Sequence, residues 1–186
     1  MVKRDLIRNI IILLVIVLAI ILLRIFLFST VEIKADSANS FLAKGDFVTV
    51  ATKGEPVDND FVVYKVDNKE YVGRVVAQPG QKVTSVDDVL YINNKVKHEP
   101  YLKKEYNHFM KKSQPGQYFT EDFTTEIIGK SDKVTKVPKD SYLVLNDNRQ
   151  DKNDSRKFGF ISKKQVKGVI SFRLWPLNKF GFVRVE

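Results

Sequence analysis

Fourteen apolar residues run without interruption from Ile10 to Leu23, and after Arg24 the run resumes through Ile25, Phe26, Leu27 and Phe28. A nineteen-residue segment carrying one charge makes about 28 Å of helix, close to the thickness of a bilayer core. Each Leu, Ile or Val favours insertion by roughly 0.3 to 0.6 kcal/mol. A near-terminal Arg costs less than the about 2.5 to 3.5 kcal/mol of a central one, because its side chain can snorkel. The segment 10–28 is therefore expected to be a transmembrane anchor. Lys3, Arg4 and Arg8 precede it, which places residues 1–9 in the cytoplasm and the domain 30–186 outside a single-pass cell membrane. A cleaved leader would need a small-residue site directly after the run, and Phe28 to Ala35 offers none, so the anchor is expected to stay.

The 157 residues that follow hold enough chain for one domain with its own core. Cysteine is absent, which excludes a disulfide framework, a Cys-based zinc site and a thiol nucleophile. Of the net charge of +9, three charges fall in the first thirty residues, and the rest are spread without a dense Lys/Arg block. That pattern argues against nucleic-acid binding and suits a face turned to an anionic membrane or wall polymer. The two histidines, His98 and His108, lack neighbours at ligand spacing, so neither a metal nor a cofactor is expected.

The domain reads as mainly β. Thr30–Asp36, Phe47–Ala51, Asp60–Val66, Glu70–Ala77, Val89–Asn94, Tyr142–Leu145 and Gln165–Pro176 are strand-like, with a turn at Asp67–Lys69. Residues 84–135 are poorer in apolar side chains and rich in Lys, and are expected to form a small inserted β subdomain. The strand Tyr142–Leu145 runs directly into a polar loop. From Asn146 to Arg156 there are three Asp, three Asn and two Arg and no aliphatic residue, with Asp147 and Asp154, and Arg149 and Arg156, each seven apart. That spacing predicts an internally salt-bridged loop framing a site on a rigid strand.

This loop resembles the signature of the type I signal peptidases, Gly-Asp-Asn-Arg-x-x-Ser-x-Asp-Ser-Arg-x-x-Gly. Asp147, Asn148, Arg149, Asp154, Ser155, Arg156 and Gly159 match it in register, while Asn146 replaces the first Gly and Lys152 replaces the central Ser. Tyr71, Val72, Arg74, Val75, Pro79 and Gly80 resemble the family's Tyr-Val-Lys-Arg-Val-x-Gly-x-Pro-Gly-Asp, with Gly73 where that motif has its Lys. The nucleophile motif is similar only in part. Val31, Ile33, Leu42, Gly45 and Asp46 match, and a gap-free overlay sets Ser37 on the nucleophile, whereas a one-residue shift sets Asp36 there.

The resemblance implies a signal-peptidase-like β fold with a small β subdomain behind one transmembrane helix. It also implies a degenerate dyad, since the family's Lys is the general base and its loss costs roughly 10² to 10⁴ in rate. No catalytic residue is then expected. Asp36, Ser37, Tyr71, Gly73, Arg74, Asp147, Asn148, Arg149, Lys152, Asp154, Ser155 and Arg156 would frame a binding cleft, with an Asp36–Lys152 ion pair in place of the dyad. The chain looks most like the catalytically degenerate signal-peptidase-like proteins that assist pilus assembly in Gram-positive bacteria. Pilin subunits, signal-peptide-like extended peptides and a sortase are the implied partners. Two other readings stay open: an active signal peptidase using Ser37 with Lys152 or Lys34 as base, and a membrane-tethered adhesion or wall-binding module.

Overall fold

The computed structural model describes the backbone of residues 2–183 and the side chains of residues 4–21, 29–35 and 37–183. A helix, α1 (Val2–Leu27), opens the chain and passes directly into β1 (Phe28–Glu32). Among the described residues no helix is long and apolar enough to cross a membrane. The described stretch 4–21 carries Arg4, Asp5 and Arg8, and the second part of the apolar run, 22–28, lies outside the described side chains.

Among the described residues, eight strands form one antiparallel sheet: β1, β2 (Phe47–Ala51), β3 (Phe61–Val66), β4 (Lys69–Ala77), β9 (Ser141–Leu145), β10 (Ile161–Ser162), β11 (Val166–Trp175) and β12 (Gly181–Phe182). Their order is β1-β2-β11-β3-β4-β9-β10, with β12 pairing on β11, so β3 and β4 lie at the centre. Central strands buried on both faces are near-continuously apolar. Phe61 to Tyr64 are all buried, as are Gly73 to Ala77; β3 pairs with β4, and β4 pairs in turn with Leu143, Val144 and Leu145 of β9. The chain reading of these strands holds to within a residue or two. The exception is Thr30–Asp36, where β1 ends at Glu32 and the chain tightens into a 3₁₀ turn at Ala35–Ser37.

A second, four-stranded sheet is built from β5 (Val83–Val86), β6 (Val89–Ile92), β7 (Lys95–Val96) and β8 (Phe123–Thr124), in the order β7-β6-β5-β8. Its apolar side, Val83, Leu90 and Phe123, packs on Val76, Leu143 and Leu145 of the large sheet. Three two-residue hairpins, Asp67–Asn68, Asp87–Asp88 and Asn93–Asn94, have positive φ at both central residues, the geometry that matches strand twist and that Asn and Asp tolerate best. The Lys-rich stretch is not all β. Pro100 opens a 3₁₀ turn that runs into α2 (Lys103–Met110), and Thr124 caps α3 (Thr125–Gly129) by accepting from the Ile127 N–H. No residue of α2 is fully buried, and its apolar stripe is only one turn long: Tyr106 and Phe109 anchor it through ring contacts with Phe119.

Candidate functional site

Three pieces of backbone meet above the centre of the large sheet: the 3₁₀ turn, the middle of β4 and the loop after β9. The turn is held at both ends. Ile33 N–H donates to the Asp46 carbonyl at 2.8 Å, Gly45 N–H donates back to Ile33, and Asn39 Oδ1 accepts from the N–H groups of Phe41 and Leu42. The buried Asp46 carboxylate accepts from Ala43 N–H and lies 2.8 Å from Arg173 Nε, while Arg173 Nη2 donates to the Phe41 carbonyl. Ser37 is thereby fixed beside Val72 and Gly73.

The loop after β9 is held by three guanidinium–carboxylate pairs. Arg74 and Asp147, both side chains fully buried, are joined by two hydrogen bonds of 2.8 and 2.7 Å, and Arg74 Nη1 donates to the Asn59 carbonyl. The Arg74 guanidinium is also caged by aromatic faces, with its carbon 4.0 Å from the Tyr101 ring centre and 4.1 Å from that of Phe61. Arg149 is buried and donates at 2.6 Å to Glu99 Oε1, which also accepts from the Tyr101 hydroxyl. Burial opposes its charge, but Glu99, Tyr101, Asp147 and Asp154 around it outweigh burial and raise its pKa. Burial, with the charge of Glu99, pushes the Tyr101 phenol far up, so it stays a hydrogen-bond donor.

Only the third pair lies within the loop. Arg156 binds Asp154 through Nε and Nη2 and donates to the carbonyls of Arg149 and Asp151. Asp154 in turn accepts from Asn146 N–H, and Ser155 Oγ accepts from Val144 N–H, which ties the loop to its strand. The expected internal salt-bridging is thus corrected for Asp147 and Arg149, whose partners come from β4 and from the Glu99–Pro100–Tyr101 segment. A lone Arg in the apolar run of β4 is the sequence signal for the first, because a buried guanidinium needs a carboxylate. Glu99 was missed as a partner because it lies fifty residues from Arg149.

Around Gly73 there is almost no space. Ser37, Asn39, Gly73, Asn146, Asp147 and Asp151 line a crevice of about 10 Å³, room for about one water. A Cβ on Gly73 would lie 2.6 Å from Val144 Cγ1, 3.3 Å from the Leu145 carbonyl oxygen and 3.5 Å from Tyr64 Cε1. Val144 is a stiff, β-branched, fully buried side chain on β9 and cannot simply swing away. On its other side, Ser37 opens on a groove of about 210 Å³ lined by Val31, Glu32, Lys34, Val63, Glu70 and Val72. Tyr71 stacks on Tyr64 and packs on Phe158, so it supports the cleft floor. Asn148 is exposed and lines the crevice, its Oδ1 accepting from Gln150 N–H.

Lys152 does not enter the crevice. Its exposed ammonium pairs with Glu121, and its expected place in the position of the dyad is corrected: the loop turns the side chain outward, where pairing carries little desolvation penalty. The side chain of Asp36, its expected partner, lies outside the described residues.

With the geometry in place, comparison with known proteins decides the lineage. The family described as "Signal peptidase, peptidase S26" matches residues 5–175. The chain belongs to the signal peptidase family. It is 36% identical over 163 residues to Signal peptidase IB of Staphylococcus aureus, covering 84% of this chain and 83% of that protein. It is 36% identical over 166 residues to Signal peptidase I of Bacillus caldolyticus, with 86% of each chain covered. Among solved structures, a signal peptidase I from Enterococcus faecalis superposes with a TM-score of 0.55 at 32% identity, covering 62% of this chain and 97% of that one. The mainly β, sheet-rich fold is therefore a signal peptidase fold.

Proposed function

We propose that this signal peptidase homologue binds extended peptides in the Ser37 groove without cleaving them, and serves as a membrane-anchored accessory factor in sortase-dependent pilus assembly. The observation that carries the loss of catalysis is the packing at Gly73. Where the family motif has its base, this strand presents no side chain, and Val144 occupies the volume a side chain would need. A Ser hydroxyl lacking the general base of the family motif is a weak nucleophile. The groove beside Ser37, open between β1 and the β3–β4 hairpin, suits a peptide in extended form. In this reading the apolar run 10–28 anchors the chain, 30–186 faces outward with 84–135 as a subdomain, and pilin precursors, with a sortase, are the partners.

A second reading is an active signal peptidase with Ser37 as nucleophile. The relatives named above favour it at least as strongly, and so does one feature of the groove: Lys34 lines it together with Ser37, one turn away. The test is incubation of the full-length protein in membranes with a signal-peptide-bearing pilin precursor, with Ser37→Ala as control. Uncleaved precursor that co-purifies with the protein is the expected result. Cleavage abolished by Ser37→Ala would establish the second reading instead.

A further inference from the structure

We infer that the face astride Pro100–Leu102 is a second peptide-docking surface, which takes a segment with apolar side chains set among Asp or Glu residues. This goes beyond the cleft reading and holds whether or not Ser37 acts as a nucleophile. Two concavities flank the 3₁₀ turn at Pro100–Leu102. One, about 440 Å³, has walls of Leu90, Val96, Leu102, Tyr106 and Phe119. The other, about 530 Å³, is formed by Phe41, Pro100 and Tyr101. Both volumes fall in the range of functional ligand sites, roughly 300 to 1,000 Å³. Val96 and Tyr106 remain 49% and 37% exposed, so the apolar lining is accessible and not closed by the fold.

The charges on this face are unbalanced in one direction. Each carboxylate that lines or borders it is already engaged inside the molecule. Asp88 accepts from Phe119 and Thr120 N–H, Glu99 accepts from Arg149 and Tyr101, and Glu105 accepts from Ser40 Oγ. Lys97 is likewise occupied, by Asp58 and the Val76 carbonyl. Lys103, which lines both concavities, and Lys104 are exposed, and among the described residues neither is paired with a carboxylate. Lys111 and Lys112 follow at the end of α2 with the same sign. Two apolar recesses that share the unmatched Lys103, with Lys104 on the rim of the second, complement a chain carrying apolar anchors beside acidic residues. A polyanionic polymer would use the lysines and leave the recesses unfilled, which favours a peptide.

The experiment titrates full-length protein in detergent micelles with a fluorescein-labelled peptide in which one phenylalanine and one leucine are separated by glutamates, followed by anisotropy. Saturable binding is expected, weakened at least tenfold in a Lys103→Glu/Lys104→Glu variant and by a similar factor in Val96→Glu. All three side chains are exposed, and the circular dichroism of each variant should match wild type. Should charge reversal perturb folding, Lys103→Gln/Lys104→Gln reads the same loss. A control peptide with both apolar residues replaced by serine, and another with glutamates replaced by lysines, should each bind at least tenfold more weakly. Equal binding of the serine peptide would overturn the inference by reducing it to charge alone. Displacement of the probe by phosphatidylglycerol vesicles that themselves bind through Lys103 and Lys104 would overturn it in favour of a lipid surface. The titration reads binding whether or not signal peptides are cleaved, so this inference and the cleft reading fail separately.

Discussion

The loop after β9 and the helix α2 are both crowded with charge, yet they handle it in opposite ways. In the loop, Asp147, Arg149, Asp154 and Arg156 are buried or nearly so, and each is matched to a partner of opposite sign. On α2, lysines stand in solvent, and among the described residues those facing the Pro100 turn are unmatched. Buried charge must be compensated because desolvation costs several kcal/mol per ion, whereas exposed charge is free to wait for a partner. Buried pairing therefore marks the frame of this molecule.

The sharpest way to break the frame is to strand one of its ions. Arg74→Met leaves the Asp147 carboxylate buried without its bidentate partner and should cost about 3 to 5 kcal/mol, read from the chemical denaturation midpoint of the full-length protein. Loss of less than 1 kcal/mol would mean that the pair is not buried in solution. Replacing Glu99 with Gln keeps the shape but removes the charge facing Arg149, and should cost about 1.5 to 3 kcal/mol, the range for hydrogen bonds to charged groups.

Gly73 tests packing instead of charge. Gly73→Ala forces a methyl against Val144 and should cost about 1 to 3 kcal/mol. Combined with Val144→Ala, part of that cost should disappear, and the double-mutant cycle should show coupling of at least about 0.5 kcal/mol. For the same reason Gly73→Lys alone is expected to yield no signal-peptide cleavage in a gel assay. At the small end, Lys152→Ala removes an exposed pair with Glu121 and should shift stability by about 0 to 1 kcal/mol. A larger loss would show that Lys152 has a buried partner after all.

Most of the β architecture was legible along the chain, because the central strands alternate or saturate with apolar residues and the hairpin turns announce themselves with Asp and Asn. Phe47–Ala51, Phe61–Val66 and Ser141–Leu145 are strands for reasons visible locally. The helix α2 was not, since its apolar stripe is a single turn, Tyr106, Phe109 and Met110, set in a Lys-rich stretch. The loop motif singled out Asp147, Arg149, Asp154, Ser155 and Arg156, whose side chains all bond within the framework of the loop, but its seven-residue spacings suggested partners within the loop itself. Two of the three pairs instead reach to Arg74 and Glu99.

The sequence by itself determined the family, the strand-rich core and the apolar run at the amino terminus. Composition and local pattern carry those facts. Only the tertiary structure decided who pairs with whom, that Lys152 points outward to Glu121, and that Val144 fills the space beside Gly73. Those outcomes depend on which strands become neighbours, and β4 meets β9 across some seventy residues of chain. Local sequence fixes how a segment folds, while desolvation and packing between distant segments settle what each polar group must bind.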